Sequence, residues 1–235
     1  MTGLAAGLAR RFAERTIRSE LKGGVRRAVA VGGADRDPAP GRPLVVYANH
    51  HVYADSFLLW WLVERVWRRP FVIWMEAWDR APLFGPVGAL PFPAGDARRR
   101  MRTIRETARR LAGDRATLCL YPEGTMGIPE DGLGLFRADM ARMARLLPDE
   151  TAWAPLGISL SWWGESRPSA ALALGEVHDR PDGDERQRLS AALRSAAAVR
   201  PGDPAPVVFE GGAGPDERWD LSPLAPLFEK LTFPR

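Results

Sequence analysis

His50 and Asp55 are separated by four residues in the run Asn49-His50-His51-Val52-Tyr53-Ala54-Asp55, directly after a short apolar segment. An imidazole titrates near neutrality, and a carboxylate on its far ring nitrogen fixes the tautomer and stabilises the cation formed when a proton is taken. Such a pair can deprotonate a hydroxyl that attacks a thioester carbonyl. A second cluster, Tyr121-Pro122-Glu123-Gly124-Thr125, offers a carboxylate, a hydroxyl and backbone amides in one sharp turn. That combination can grip a polyol or a phosphate headgroup, and the same residues also make an ordinary turn at the end of a strand. His51 reads as structural, and His178, far along the chain, as a surface or core-edge histidine. A serine hydrolase is disfavoured because Gly157-Ile158-Ser159-Leu160-Ser161 fails the G-x-S-x-G pattern at its last position. A metal-dependent phosphoesterase using His50, His51, Asp55 and His178 would want further clustered ligands. No metal and no cofactor is expected.

Both clusters need rigid elements to deliver them. Leu44-Val45-Val46-Tyr47 is short, β-branched and bounded by turn residues, so it reads as a buried strand ending at Asn49 and His50. An apolar helix over 56–67, with Trp60, Trp61 and Trp67, and a strand over 71–75 follow. Strand, helix and strand in that order predict an α/β layer architecture with its chemistry at strand ends. A loop over 82–93, an arginine-rich helix over 97–112 and a strand over 116–121 bring the chain to the second cluster. Beyond it the pattern predicts a helix over 135–146, strands over 153–161 and 170–174, and a helix over 184–198. Upstream, residues 3–22 read as a helix with Arg11, Arg15, Arg18 and Lys22 at helical spacing and Ala5, Leu8, Ala9, Phe12 and Ala13 on the remaining face; a strand over 25–31 follows. This helix either lies in a membrane interface or packs its alanine-rich side on the domain. The organisation expected is a basic amphipathic helix over 1–24, one catalytic domain over 25–199, and an irregular Pro- and Gly-rich extension over 200–235.

Composition bounds the remaining possibilities. The 235 residues suit one ordinary domain with small appendages. Only Lys22 and Lys230 are lysines among 33 basic residues, so the formal charge of +4 is carried by arginine. Basic side chains concentrate in residues 1–30 and 94–115, which suggests surfaces facing an anionic partner. No recognisable nucleic-acid-reading motif accompanies that charge, and no nucleic-acid partner is expected. The lone Cys119 sits in an apolar run, where a thiol serves as a small hydrophobe, and it permits no intrachain disulfide. No run reaches the ~18 apolar residues of a spanning helix, and the N-terminus lacks a signal-peptide pattern. The expected location is cytoplasmic, peripheral at the inner face of the cell membrane.

Taken together, the two clusters resemble the lysophospholipid acyltransferase family, the glycerolipid or PlsC-type acyltransferases. Asn-His-x-x-x-x-Asp after one strand is followed some 70 residues later by Pro-Glu-Gly-Thr after another. Ala81-Pro82-Leu83-Phe84-Gly85 with Gly88 resembles the family's second block, and Ala154-Pro155-Leu156-Gly157-Ile158 its fourth, so the resemblance spans roughly residues 25–180. It implies a mixed central sheet flanked by helices and acyl transfer without a covalent intermediate. The donor would be acyl-CoA or acyl carrier protein, and the acceptor a lipid hydroxyl. His50 carries over as the base and Asp55 as its partner, while Glu123, Gly124, Thr125, Phe84 and Gly85 carry over as substrate-binding residues. Two family arginines are replaced, one by the alanines and prolines of residues 89–94 and one by Met126, which removes positive charge from the implied phosphate pocket. Arg98, Arg99 and Arg100 either substitute for them or form a solvated helix face. The acceptors this suggests are a lysophospholipid, a glycolipid or an isoprenoid glycoside. A non-catalytic membrane-surface lipid-binding protein on the same scaffold is the competing reading.

Overall fold

The computed structural model describes residues 3–212, Gly214 and residues 222–232. Its centre is an eight-stranded mixed sheet flanked by helices. The strands are β1 (Arg27–Val31), β2 (Leu44–Ala48), β3 (Phe71–Met75), β4 (Ala89–Pro91), β5 (Thr117–Leu120), β6 (Ala152–Ser161), β7 (Ser169–Leu174) and β8 (Val207–Glu210), in spatial order β4-β3-β5-β2-β6-β7-β1-β8. Strands β4 through β6 run parallel, β7 pairs antiparallel with β6 and parallel with β1, and β8 pairs antiparallel with β1. The predicted sheet architecture therefore holds.

The sheet is two-sided, and alternation along each strand divides its side chains between two cores. On one face, Val46, Ala48, Cys119 and Leu156 pack with Ala13, Ile17 and Leu21 of α1 (Gly3–Gly24) and with Phe57 and Leu58 of α2 (Asp55–Trp61), which continues as a π-helical turn over Leu62–Val66. On the other, Val45, Tyr47, Leu118 and Trp153 pack with Leu111 of α3 (Ala97–Asp114), Met140 and Met143 of α4 (Met140–Ala144), and Leu189 of α5 (Glu185–Ala197). A last helix, α6, spans Ala225–Thr232.

Three elements differ from the sequence expectation. The helix expected over 135–146 shortens to α4, because Asp139 caps it by accepting from the Arg142 N–H at 2.7 Å while Arg137 and Ala138 donate to the Pro122 carbonyl as loop. Within the loop expected over 82–93, a 3-10 turn (Pro82–Val87) leads into β4 on the sheet edge. The tail beyond Arg200 contributes β8, and Phe209 enters the core beside Trp61. Of the tryptophans on the second helix, Trp61 and Trp67 donate their indole N–H groups to the Val208 and Ala34 carbonyls, which makes them packing residues.

The topology fixes where the chemistry sits. The chain leaves β2 toward β3 on one side and leaves β5 toward β6 on the other, so the crevice at the carboxyl ends of β2 and β5 is the switch point at which such sheets bind ligands.

Candidate active site

His50 and Tyr121 emerge at that crevice, just past the ends of β2 and β5. Buried Asn49 holds the first turn against β6, donating to the Ile158 carbonyl at 2.9 Å and accepting from the Ile158 N–H at 2.8 Å. Asp55 begins α2 with no exposure to solvent. Its Oδ2 accepts from the His51 and Val52 N–H groups at 2.8 and 2.9 Å and lies 3.3 Å from His50 Nδ1. Two amides thus aim the carboxylate before the imidazole meets it, and a proton on Nδ1 leaves Nε2 as the basic lone pair.

The opposite boundary of the imidazole is aromatic. The Tyr121 ring stacks on His50 with centroids 4.0 Å apart and planes 9° from parallel, and its hydroxyl lies 3.0 Å from Ser56 Oγ. Burial, followed by the nearby Asp55 charge, pushes the Tyr121 phenol well above its ordinary range, so the ring stays neutral beside the imidazole.

Glu123 ties the two turns together. It is buried, its Oε1 accepting the His50 N–H at 3.2 Å and its Oε2 the Gly134 N–H at 2.7 Å, while the Gly127 N–H donates to the His50 carbonyl at 2.7 Å. Gly124 makes the turn at φ 69°, a conformation that favours glycine.

A cavity of about 700 Å³ opens beside His50 and runs along the sheet. Phe84, Gly124 and Thr125 lie in its wall with His50, Asp55 stands behind His50, and Glu123 and Gly85 are outside the wall. Gly85 instead makes room for the Trp78 ring, which a Cβ there would meet at 2.6 Å. Trp60 lines the cavity, as does Arg100, whose guanidinium sits 5.7 Å from the Phe92 ring centroid; Arg98 and Arg99 do not. Arg137, which the sequence reading did not single out, also lines it. The other histidines are bound elsewhere, His51 Nε2 lying 3.2 Å from the Gly132 carbonyl oxygen and His178 Nε2 2.9 Å from the Tyr47 hydroxyl. The stack of Tyr121 on His50 and the bonds of Glu123 left no signal in residue type or spacing.

A histidine–carboxylate pair thus stands at a switch-point crevice of a mixed α/β sheet, beside a largely apolar cavity. The family model described as Acyltransferase matches residues 28–159, more than half the chain, and the chain belongs to that family. It is an acyltransferase, and the family resemblance read from the sequence is borne out. The structure of the 1-acyl-sn-glycerophosphate (LPA) acyltransferase PlsC from Thermotoga maritima matches with a TM-score of 0.52 at 18% sequence identity, covering 82% of this chain and 78% of that one. At that identity the likeness is one of fold. No curated protein matches this chain.

Proposed function

We propose that this enzyme moves a fatty acyl group from a thioester, carried by coenzyme A or an acyl carrier protein, to a hydroxyl of a lipid acceptor. The observation that carries the reading is the 3.3 Å approach of His50 Nδ1 to an Asp55 carboxylate held by two amides, with His50 in the wall of a largely apolar cavity. His50 Nε2 takes the acceptor's hydroxyl proton as its oxygen attacks the thioester carbonyl, and Asp55 stabilises the resulting imidazolium. Collapse of the tetrahedral adduct breaks the carbon–sulfur bond, and the imidazolium returns its proton to the leaving thiolate.

Two guanidiniums in the cavity wall, Arg100 and Arg137, against the single carboxylate of Glu76 among the lining residues, favour an acceptor with an anionic headgroup. A lysophospholipid fits this better than an uncharged glycolipid. Helix α1 leaves Leu4, Leu8 and Phe12 exposed beside exposed Arg11, Arg15 and Arg18, the make-up of a segment that lies in an anionic interface. Among the described residues no helix is long and apolar enough to cross a membrane, and attachment through α1 at the inner membrane face completes the reading.

The test is incubation of the protein with labelled acyl-CoA or acyl carrier protein and fractionated lipid extracts, followed by mass spectrometry. An acceptor lipid heavier by one acyl group is expected. Release of free fatty acid with every lipid fraction, and no acylated lipid, would make the enzyme a thioesterase and overturn the proposal.

A further inference from the structure

Helix α3 follows β4, which runs parallel to β3 and β5, so the chain enters the helix from the same strand ends that carry His50 and Tyr121. Thr103 and Thr107 bind it to the sheet edge, the first donating to the Pro91 carbonyl and the second accepting from the Trp74 indole N–H at 2.9 Å; both are buried, as is Leu111. Opposite that buried row, at helical spacing, Arg98, Arg102, Arg105 and Arg109 are exposed. Arg109 pairs with Glu106, whereas among the described residues Arg98, Arg102 and Arg105 make no ion pair or side-chain hydrogen bond. The stripe works against its own helix. Like charges three and four residues apart repel. Asp96 caps the helix, yet Arg98, Arg99 and Arg100 crowd the positive end of its dipole with no acidic residue in the first turn. A merely solvated face mixes both signs, and a stripe of one sign that opposes its helix gains when a partner of opposite charge covers it.

We infer that Arg98, Arg102 and Arg105 form the docking surface for an acidic acyl carrier protein, which delivers the donor thioester to the cavity past Arg100; the inference rests on the acyl-transfer reading above. Arg100, in the first turn of the same helix, lines the cavity with Phe92, so a carrier seated on the stripe holds its flexible thioester arm beside the site. Arg98 and Arg105 are about 10 Å apart along the axis at ~1.5 Å per residue, a span that one acidic helix of a partner can cover. Coenzyme A fits the stripe poorly, because a nucleotide is held in a concavity and these three arginines stand on the convex side of a helix, outside the cavity wall. A lipid surface fits it poorly too. A helix lying in a bilayer interface needs an apolar face beside its basic one, and the buried row of α3 is spent on the sheet, leaving Met101 exposed near the stripe. Helix α1, by contrast, exposes Leu4, Leu8 and Phe12.

The test measures kcat and KM for palmitoyl transfer to one acceptor, from palmitoyl acyl carrier protein and from palmitoyl-CoA, in the wild type and in the triple variant Arg98→Glu, Arg102→Glu, Arg105→Glu. With the carrier donor the variant should show a KM at least ~10-fold higher at unchanged kcat, and the wild-type KM should climb with added salt. With palmitoyl-CoA both constants should be unchanged, since these side chains lie outside the cavity wall. Thermal unfolding checks the fold; if the glutamate variant does not fold, the triple glutamine variant takes its place. Unchanged carrier kinetics in a folded variant, or a loss shared equally by both donors, would overturn the inference. So would a wild type that accepts palmitoyl-CoA and refuses the carrier. Loss of sedimentation with anionic vesicles at unchanged carrier kinetics would assign the stripe to a lipid surface and overturn it as well. If the wild type transfers from neither donor, the acyl-transfer reading itself fails, and the stripe is then judged by binding of acyl carrier protein in fluorescence anisotropy. Salt-sensitive binding that the triple variant loses would support the docking surface, and absent binding, or binding the variant keeps, would refute it.

Discussion

The Glu123 carboxylate accepts one backbone N–H from the His50 turn and another from the Gly132–Gly134 loop, so a single side chain fixes two loops around the base. Glu123→Ala leaves two buried amides without their acceptor, at a cost of about 1–3 kcal/mol each. Loss of kcat with little change in acceptor KM is expected, because the groups displaced are backbone of the site and Glu123 stands outside the cavity wall. A KM increase at unchanged kcat, measured by steady-state kinetics, would mean that Glu123 binds the acceptor directly. At this scale the sequence was legible where partners are near neighbours. His50 and Asp55 meet across one turn, so their spacing alone allowed the pair to be read. Tyr121 and Glu123 meet His50 only because β2 and β5 are adjacent and in register, and no local pattern encodes that.

Helix α1 carries two apolar stripes. Ala13, Ile17 and Leu21 enter the core, whereas Leu4, Leu8 and Phe12 face outward. Of the alternatives drawn from the sequence, packing on the domain is therefore seen for one stripe, while the other stripe is exposed and its attachment to a membrane is the proposal above. Replacing Leu4, Leu8 and Phe12 together with glutamine should cut binding to anionic vesicles at least ~10-fold, since roughly 1.5–3 kcal/mol of transfer energy is lost per large apolar side chain. The thermal midpoint should stay put, and unchanged sedimentation with vesicles would remove α1 from the membrane interface. Helix α3 supplies a pH-dependent term. Hydrogen bonds from Arg109 and then Arg110 hold the Glu106 carboxyl down at about 2. Because the folded value is depressed, the stabilisation is complete above the ordinary carboxyl range and disappears as pH falls toward about 2. Wild type should therefore exceed Glu106→Gln in stability at neutral pH by under about 1 kcal/mol, with the two melting curves converging in acid. Elements of strong period were legible, and the misses have physical causes. Three-residue β4 and four-residue β8 are too short for a period to register amid Pro and Gly, and α4 lost its first turn to a loop pinned to Pro122.

At the scale of the whole molecule, a polar hub lies at the amino ends of the central strands. Buried Arg69 donates to Asp37, to the Thr117 hydroxyl and to the carbonyls of Ala39, Arg42 and Arg115, tying together the segments that precede β2, β3 and β5. Arg69→Met should cost about 3–5 kcal/mol in urea unfolding, because its partners are left buried without a donor. An unchanged midpoint would mean that the hub is not a fold determinant. The same strands, held there, carry Asn49, His50 and Tyr121 at their other ends, so stability and site geometry share one frame. One imidazole is proposed to perform the proton transfer, and acyl transfer by His50→Ala with donor and acceptor saturating tests it most directly. A fall in kcat of at least ~10²-fold is expected, with thermal unfolding and vesicle binding unchanged; a folded His50→Ala enzyme that transfers at the wild-type rate would contradict this role for His50.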